Sequence, residues 1–136
     1  MSTAWQRTFR LGFALQMSTR ALEALRSALE SDDARLITGA TTSPPPLQAV
    51  AEWPVEAACP IGLCGWLGEN LETVGQVEEY FARLCYDADR RLGEPGACRY
   101  LLNWIDDTPR DEMRRWLLVE VVAELRRRGV PSPSAA

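Results

Sequence analysis

The amino-acid sequence predicts an all-α domain, a small bundle of about four main helices with a long loop between the first and the second. Two observations carry this prediction. Apolar residues recur at spacings of three and four along most of the chain, which is the period of one face of an α-helix. Residues 38–72 instead combine proline, glycine, cysteine and tryptophan without that period, so they predict an irregular loop.

The first helix is expected over residues 4–31. Aromatic side chains spaced four apart form one row, and leucines line one face of the segment; the aromatic residues are Trp5, Phe9 and Phe13, and the leucines are Leu11, Leu15, Leu22, Leu25 and Leu29. Gly12 and residues 17–19 are the two points at which this segment could divide into two helices.

Capping signals mark the second and third helices. Thr73 and Gln76 are spaced as a capping box, and Gly93 can end the second helix in the left-handed conformation. Pro95 is expected to be the first residue of the third helix, which ends at Asp106 and Asp107.

The fourth helix is expected to begin with Thr108 as its N-cap and Pro109 as its first helical residue. Gly129 follows three arginines and is expected to end it. Residues 1–129 then form a single helical domain, and residues 130–136 form a flexible tail of small residues and proline.

Composition argues against several classes of function. All 15 basic residues are arginine, the chain has no histidine, and its net charge is −4. It therefore lacks the commonest general base, the commonest metal ligand and the lysine of a phosphate-binding loop. An acidic chain also lacks the basic stripe that nucleic-acid binding requires. We expect no catalytic residues and no nucleic-acid partner.

Charge is distributed unevenly along the chain. Residues 52–107 carry four arginines and eleven acidic residues, a net charge of −7, whereas residues 1–51 and 108–136 carry +1 and +2. An acidic middle segment suits docking to another protein with a basic surface. The alternative is that folding brings the basic ends over the acidic middle and mixes the charges on an ordinary solvated surface.

The sequence contains no membrane or secretion signal that we recognise. No stretch approaches the roughly 18 continuous apolar residues of a membrane span. Arg7 and Arg10 interrupt the apolar residues near the N-terminus, whereas a signal peptide places its charge first. We therefore expect a cytoplasmic protein with no membrane contact.

Four cysteines, Cys59, Cys64, Cys85 and Cys98, leave two interpretations open. Cys85 and Cys98 lie on or beside apolar helix rows and are expected to be plain core residues. Cys59 and Cys64 flank a proline and a glycine and could form a redox disulfide, or all four cysteines could bind zinc. The tight C-x-x-C spacing of common zinc sites is missing. No cofactor is therefore expected, with zinc as the alternative.

Five tryptophans are many for 136 residues, and two of them, Trp53 and Trp66, fall in the predicted loop. If exposed, they would anchor a partner together with Leu63 and Leu67, because tryptophan is common at binding hot spots. If buried, they would pin the loop to the rest of the domain.

These observations predict a non-catalytic protein-interaction module: an adaptor, small subunit or inhibitor of a bacterial or phage multicomponent system. It would dock through helix faces and the loop that holds the tryptophans and cysteines, and a homo-oligomer is compatible with it. The alternative is a thiol-redox or metal-binding protein that uses Cys59 and Cys64, with or without Cys85 and Cys98.

Overall fold

The computed structural model of the chain describes residues 3–48 and 50–131. Most of these residues are helical, which confirms the all-α class. The expected flexible tail lies, apart from residues 130 and 131, outside the described residues.

Within those ranges the chain forms α1 (Ala4–Arg7), α2 (Thr19–Ser31), α3 (Pro60–Leu63), α4 (Val74–Leu92), α5 (Cys98–Asp107) and α6 (Arg110–Arg127). Two short strands, β1 (Thr42–Ser43) and β2 (Ala57–Ala58), pair antiparallel, with Thr42 opposite Ala58 and Ser43 opposite Ala57. None of the helices that the structure describes is both long and apolar enough to cross a bilayer.

The predicted first helix is divided at one of the two expected points. α1 continues as wider π-helical turns over Thr8–Phe13 and a 3-10 turn over Ala14–Gln16. Met17 then adopts an extended conformation, and Ser18 begins α2 by accepting a hydrogen bond from the backbone N–H of Ala21 at 3.0 Å. The N-cap at Ser18 confirms the predicted break at residues 17–19.

Gly12, the other expected point of division, lies inside the N-terminal helical segment. A Cβ built on Gly12 would lie 3.0 Å from the Cβ of Ala88 in α4. The glycine therefore permits close packing between two helical segments.

The prediction of an irregular loop over residues 38–72 needs correction in its second half. Pro60–Leu63 forms α3, and Cys64–Gly68 continues it as a wider π-helical turn. A Cβ on Gly65 would lie 2.7 Å from the ring of Tyr80 in α4. The glycines of this segment thus allow close approach to neighbouring helices, although in the sequence they resemble turn signals.

α4 begins and ends as predicted. The N–H of Gln76 donates to Thr73 Oγ1 at 3.2 Å, and Gln76 Oε1 accepts from the N–H of Thr73 at 3.2 Å, which completes the capping box. Gly93 ends the helix with a φ of 68°. These signals are local in the sequence, which is why they could be recognised there.

The starts of α5 and α6 differ from the prediction. α5 begins at Cys98 instead of Pro95, because Gly96 turns the chain with a φ of 81° before the helix starts. α6 begins at Arg110, so Pro109 precedes the helix instead of opening it. The one-residue difference at the start of α6 is within the usual variation of helix ends. The three-residue difference at the start of α5 is larger, and it is caused by the turn at Gly96.

One apolar core joins these elements. α2 packs against α6 and against residues 60–68, while the N-terminal segment packs against α4, α5 and α6. Large fully buried side chains come from each of these parts except α4, and examples are Phe9, Leu25, Ile61, Leu101 and Leu117, while α4 contributes the smaller Val77. The ring of Trp5 stacks on that of Trp104 with centroids 3.6 Å apart and so ties α1 to α5.

Candidate functional site

The four predicted partner-binding residues occupy different environments. Leu63 is fully buried in the core because α3 turns it inward. The prediction that Leu63 contacts a partner therefore needs correction. Trp66 and Leu67 are partly buried and pack against the core, and the guanidinium carbon of Arg35 lies 5.5 Å from the centroid of the Trp66 ring. Trp53 is 49% exposed and is therefore the most accessible of the four.

Trp53 belongs to a group of exposed apolar side chains in one loop. Leu47 is completely exposed and Val50 is 52% exposed. We call Leu47, Val50 and Trp53 the apolar loop cluster. Single exposed apolar residues are common on protein surfaces, whereas apolar side chains gathered in one place mark contact sites. Three large ones within seven positions make this loop the candidate for such a site.

Hydrogen bonds hold the backbone of this loop on the start of α4. The carbonyl of Trp53 accepts from the N–H of Val74 at 2.9 Å, and the carbonyl of Ala51 accepts from the N–H of Gly75 at 2.9 Å. The N–H of Trp53 donates to the carbonyl of Val50 at 3.0 Å and forms a turn within the cluster. The loop therefore has little backbone freedom to lose when a partner covers it.

The surroundings of the apolar loop cluster are acidic. No arginine occurs in the sequence between Arg35 and Arg83, although the same stretch contains six acidic residues. Glu52 and Glu56 flank Trp53 and are exposed, as is Glu72, whose carbonyl accepts a hydrogen bond from the backbone of the same loop. The rim of the cluster is therefore negatively charged.

A cavity of about 380 Å³ lies between α4, α5 and residues 39–41. Three of the four cysteines line it together with apolar and charged side chains: Cys59, Cys85, Cys98, Phe81, Leu102 and Asp106. We call it the cysteine cavity. One wall is held by a hydrogen bond that the N–H of Gly39 donates to Asp106 Oδ1 at 3.1 Å.

Asp89 positions Cys98 at the start of α5. Its Oδ1 accepts from the N–H of Cys98 at 2.7 Å and its Oδ2 from the N–H of Gly96 at 2.9 Å. Burial acts to raise the pKa of Asp89, but these hydrogen bonds outweigh burial and hold the pKa below its ordinary value. The thiol of Cys98 also forms hydrogen bonds with Asp89 and with the thiol of Cys85, so the two cysteines are neighbours.

Burial raises the pKa of all four thiols. The pKa of Cys59 rises to about 11, although its sulfur accepts a hydrogen bond from the N–H of Gly62 at 3.3 Å. The pKa values of Cys64, Cys85 and Cys98 are also raised, with loss of hydration as the largest cause. At neutral pH these thiols are protonated and therefore weak nucleophiles.

The four cysteines do not share one site. Cys64 lies in the core, with its sulfur 3.4 Å from the carbonyl oxygen of Pro60 and 4.0 Å from the sulfur of Met17. Within residues 3–48 and 50–131, no three cysteine, aspartate or glutamate side chains are grouped so that they could hold a metal ion. The zinc alternative stays a prediction, and this arrangement offers it no four-thiol centre.

A second exposed apolar surface lies on α6 and was missed by the sequence analysis. Trp116 is 44% exposed, Val119 is 51% exposed, and Ala123 is also exposed. We call these three residues the outer row of α6. They lie opposite the buried row, which consists of Met113, Leu117, Val121 and Leu125. The signal in the sequence is that apolar residues of this helix fall outside a single row.

A groove of about 240 Å³ borders the outer row. Leu11 and Leu15 of the N-terminal segment line it together with Ala123. Both leucines are nearly half exposed, so the prediction that they share one face with the leucines of α2 is wrong, because the chain breaks at Met17 and Ser18 between the two sets. Arg10 ties the two walls together by donating to both carboxylate oxygens of Glu120, at 2.5 and 2.9 Å. We call this feature the α6 groove.

Comparisons of the chain with protein-family models, with curated proteins and with solved structures find no match. Function is therefore inferred from the residues themselves.

Proposed function

We propose that this protein is a non-catalytic interaction module, an adaptor, small subunit or inhibitor in a bacterial or phage multicomponent system, which docks another protein through the apolar loop cluster. The observation that carries the proposal is the exposure of three large apolar side chains on a loop whose backbone is hydrogen-bonded to α4. Covering these side chains is favourable because it removes apolar surface from water, and the anchored backbone lowers the entropy cost.

The chemistry around the cluster specifies the partner further. Glu52 and Glu56 are exposed on the same stretch of chain as Trp53, and Glu72 is exposed beside the start of α4, so the charge next to the cluster is negative. A partner that offers an apolar pocket for Trp53 and a rim of arginine or lysine would be complementary in both respects. Complementary charge at the rim mainly speeds association and adds specificity, whereas the buried indole supplies most of the affinity.

Catalysis is no part of this proposal. The chain has no histidine, and the raised pKa values of its thiols leave them protonated at neutral pH. All four cysteines are unpaired in the structure, which fits the reducing cytoplasm.

The proposal is tested by comparing Trp53→Ser with Tyr86→Ser as bait proteins in the native host. Tyr86 is a matched control, since it is an aromatic residue on α4 with 64% exposure. A protein captured by the wild-type chain is purified, and its affinity for all three baits is measured by titration calorimetry. We expect Trp53→Ser to weaken binding by about 30-fold or more, the effect of losing a hot-spot tryptophan, and Tyr86→Ser to leave it unchanged.

Salt provides the second readout of this experiment. Binding should weaken as ionic strength rises, because the acidic rim is screened. A purified partner that binds wild type and Trp53→Ser equally well would contradict docking through the loop. So would the failure of every captured protein to bind the purified chain directly.

The cysteine cavity supports a second candidate function, a thiol-redox protein. Cys85 and Cys98 are neighbours in this cavity and are both partly accessible. Oxidation by a peroxide would join their sulfurs, with the two thiol protons and two electrons reducing the peroxide to water. The raised thiol pKa values make this reaction slow, which is why the candidate ranks second.

Intact-mass measurement after peroxide treatment tests this second candidate. The wild-type chain should lose a pair of hydrogen atoms, and Cys85→Ser should abolish that loss. Cys64→Ser is the control that should retain it, since Cys64 lies in the core away from the cavity. An unchanged wild-type mass under conditions that oxidise a free thiol in solution would dismiss the candidate.

A further inference from the structure

The outer row of α6 is a second apolar surface, and it shares no residue with the apolar loop cluster. Its role can therefore be inferred independently of the proposed function. α6 is apolar on two opposite faces, and α2 and the N-terminal segment cover only the inner one. The other exposed positions of α6 are charged, so the outer row is a narrow apolar strip between charged side chains. The outer row therefore lacks a cover within the part of the chain that the structure describes.

The spacing along the outer face is that of a coiled-coil seam. Glu112, Trp116, Val119, Ala123 and Arg126 are exposed and follow one another at intervals of four, three, four and three residues. This is the heptad pattern of a helix that packs lengthwise against another helix. The two charged ends of the seam are equidistant from Val119, with Glu112 seven positions before it and Arg126 seven positions after it.

The charges at the two ends of the seam are opposite. The first turn of α6 contains Asp111 and Glu112, and the last turn contains Arg126 and Arg127. Asp111 forms an ion pair with Arg114, and Arg127 forms one with a glutamate of α6. Among the residues that the structure describes, neither Glu112 nor Arg126 forms an ion pair, so each presents its charge outward.

We propose that a second copy of this chain covers the outer row, with the two α6 helices antiparallel about a twofold axis at Val119. This arrangement places Glu112 of each copy opposite Arg126 of the other. A parallel arrangement would instead bring Glu112 against Glu112 and Arg126 against Arg126, and like charges oppose association. The self-complementary pattern of this face is what a twofold interface requires.

The α6 groove supports the same arrangement. Trp116 and the groove lie on the same edge of the seam, and the groove begins near Ala123. The twofold axis runs perpendicular to the plane that contains the two α6 helices. It reverses the direction of the second helix, but it keeps the groove edges of both helices on the same side of that plane. Trp116 of one copy therefore lies beside Ala123 of the other, where its indole can enter the groove between Leu11 and Leu15. A large aromatic residue opposite a small one fits the packing of closely spaced helices.

Sedimentation equilibrium on the purified full chain tests the proposal. The wild-type protein should have the mass of two chains, and Val119→Arg should have the mass of one, because two like charges would meet at the axis. Tyr86→Ser should remain a dimer. Val119 is exposed, so Val119→Arg should keep the helical circular dichroism of the wild type, which separates loss of association from loss of folding.

Charge reversal tests the antiparallel orientation. Glu112→Arg and Arg126→Glu should each weaken the dimer by at least about tenfold, since each change creates like-charge contacts at both ends of the interface. Mixing the two variants should restore association, because in the mixed dimer every end contact again joins opposite charges. Single variants as tight as wild type would overturn the antiparallel pairing.

Three further outcomes would overturn the proposal. The first is a wild-type chain that stays monomeric at all soluble concentrations, and the second is a dimer that survives Val119→Arg. The third is a monomer whose outer row binds a different protein, detected as a captured protein that Val119→Arg loses and Trp53→Ser retains. None of these outcomes affects the test of the apolar loop cluster, so the two proposals can fail separately.

Discussion

Helices α4 and α6 are similar in length, with 19 and 18 residues, but they differ on their outer faces. Polar side chains of both helices bond to other parts of the chain, as Glu120 of α6 does with Arg10, but on α4 no row of apolar side chains like that of α6 is exposed among the described residues. Glu78 accepts a hydrogen bond from the buried hydroxyl of Thr42 at 2.8 Å, and Asp89 accepts two from the start of α5. The outer row of α6 is apolar and has no comparable contacts among the described residues.

This difference distinguishes apolar rows that stabilise the fold from an apolar row that we expect to act in association, although both kinds look alike in the sequence. The inner rows of both helices stabilise the fold, because their side chains are removed from water within the chain. The polar residues of α4 complete the fold by capping and bridging neighbouring elements. The outer row of α6 contributes little inside the chain, so its effect is expected in association.

The largest predicted effect concerns the two inner rows. Leu84 of α4 and Leu117 of α6 are 2% and 0% exposed. Changing either to alanine should lower the free energy of unfolding by about 2–5 kcal/mol, since a cavity replaces the side chain. Urea denaturation followed by circular dichroism measures this in the dilute protein. A cost below about 1 kcal/mol for Leu117→Ala alone would show that α6 is less essential to the fold than α4.

A smaller loss of unfolding free energy is expected when Asp89, a polar residue of α4, is replaced. Asp89→Ala should cost about 1 kcal/mol, because the first N–H group of α5, at Cys98, and the N–H of Gly96 in the preceding turn lose their acceptor. The pKa of Asp89 is lower in the folded state than its ordinary value of 3.8. The ionised form therefore stabilises the fold above that pH, and the contribution is lost as pH falls below 3.8 through the folded pKa.

Urea titrations at a series of pH values check this prediction. The wild type should lose more stability than Asp89→Asn between neutral pH and pH values below 3.8, because asparagine does not titrate. Glu79→Gln is the control, because Glu79 is an exposed residue of α4 that lies outside both proposed surfaces. Equal acid sensitivity of wild type and Asp89→Asn would exclude Asp89 as the source of the pH dependence.

The smallest predicted change in unfolding free energy is for a substitution in the outer row of α6. Val119→Thr conserves the shape of the side chain, and Val119 is half exposed, so the unfolding free energy of the dilute monomer should change by less than about 0.5 kcal/mol. The same substitution should weaken self-association. A marked loss of monomer stability would mean that the outer row packs within the chain after all, and the contrast with α4 would disappear.

Local signals account for what could be predicted of the fold. The capping box at Thr73 and Gln76 and the left-handed Gly93 define α4 correctly, because each acts within a few residues. The start of α5 could not be predicted in this way. It depends on Asp89, nine residues before Cys98, whose carboxylate accepts the N–H of Cys98, the first residue of the helix.

The candidate surfaces were predicted only in part. Trp53 was singled out from the sequence and is exposed, whereas Leu63, chosen with it, is buried because α3 turns it inward. Leu47 and the outer row of α6 were not singled out. Apolar residues in a loop or a helix look the same in the sequence whether another part of the chain covers them or not.

The sequence by itself determined the helical class, the limits of α4, and the absence of histidine and lysine side chains. These properties are compositional, or they act between residues close in the chain. Only the tertiary structure decided that residues 60–68 are helical, that Cys85 and Cys98 share a cavity, and that α6 keeps an uncovered apolar face. Burial depends on contacts between residues far apart in the chain, and no local pattern specifies those contacts.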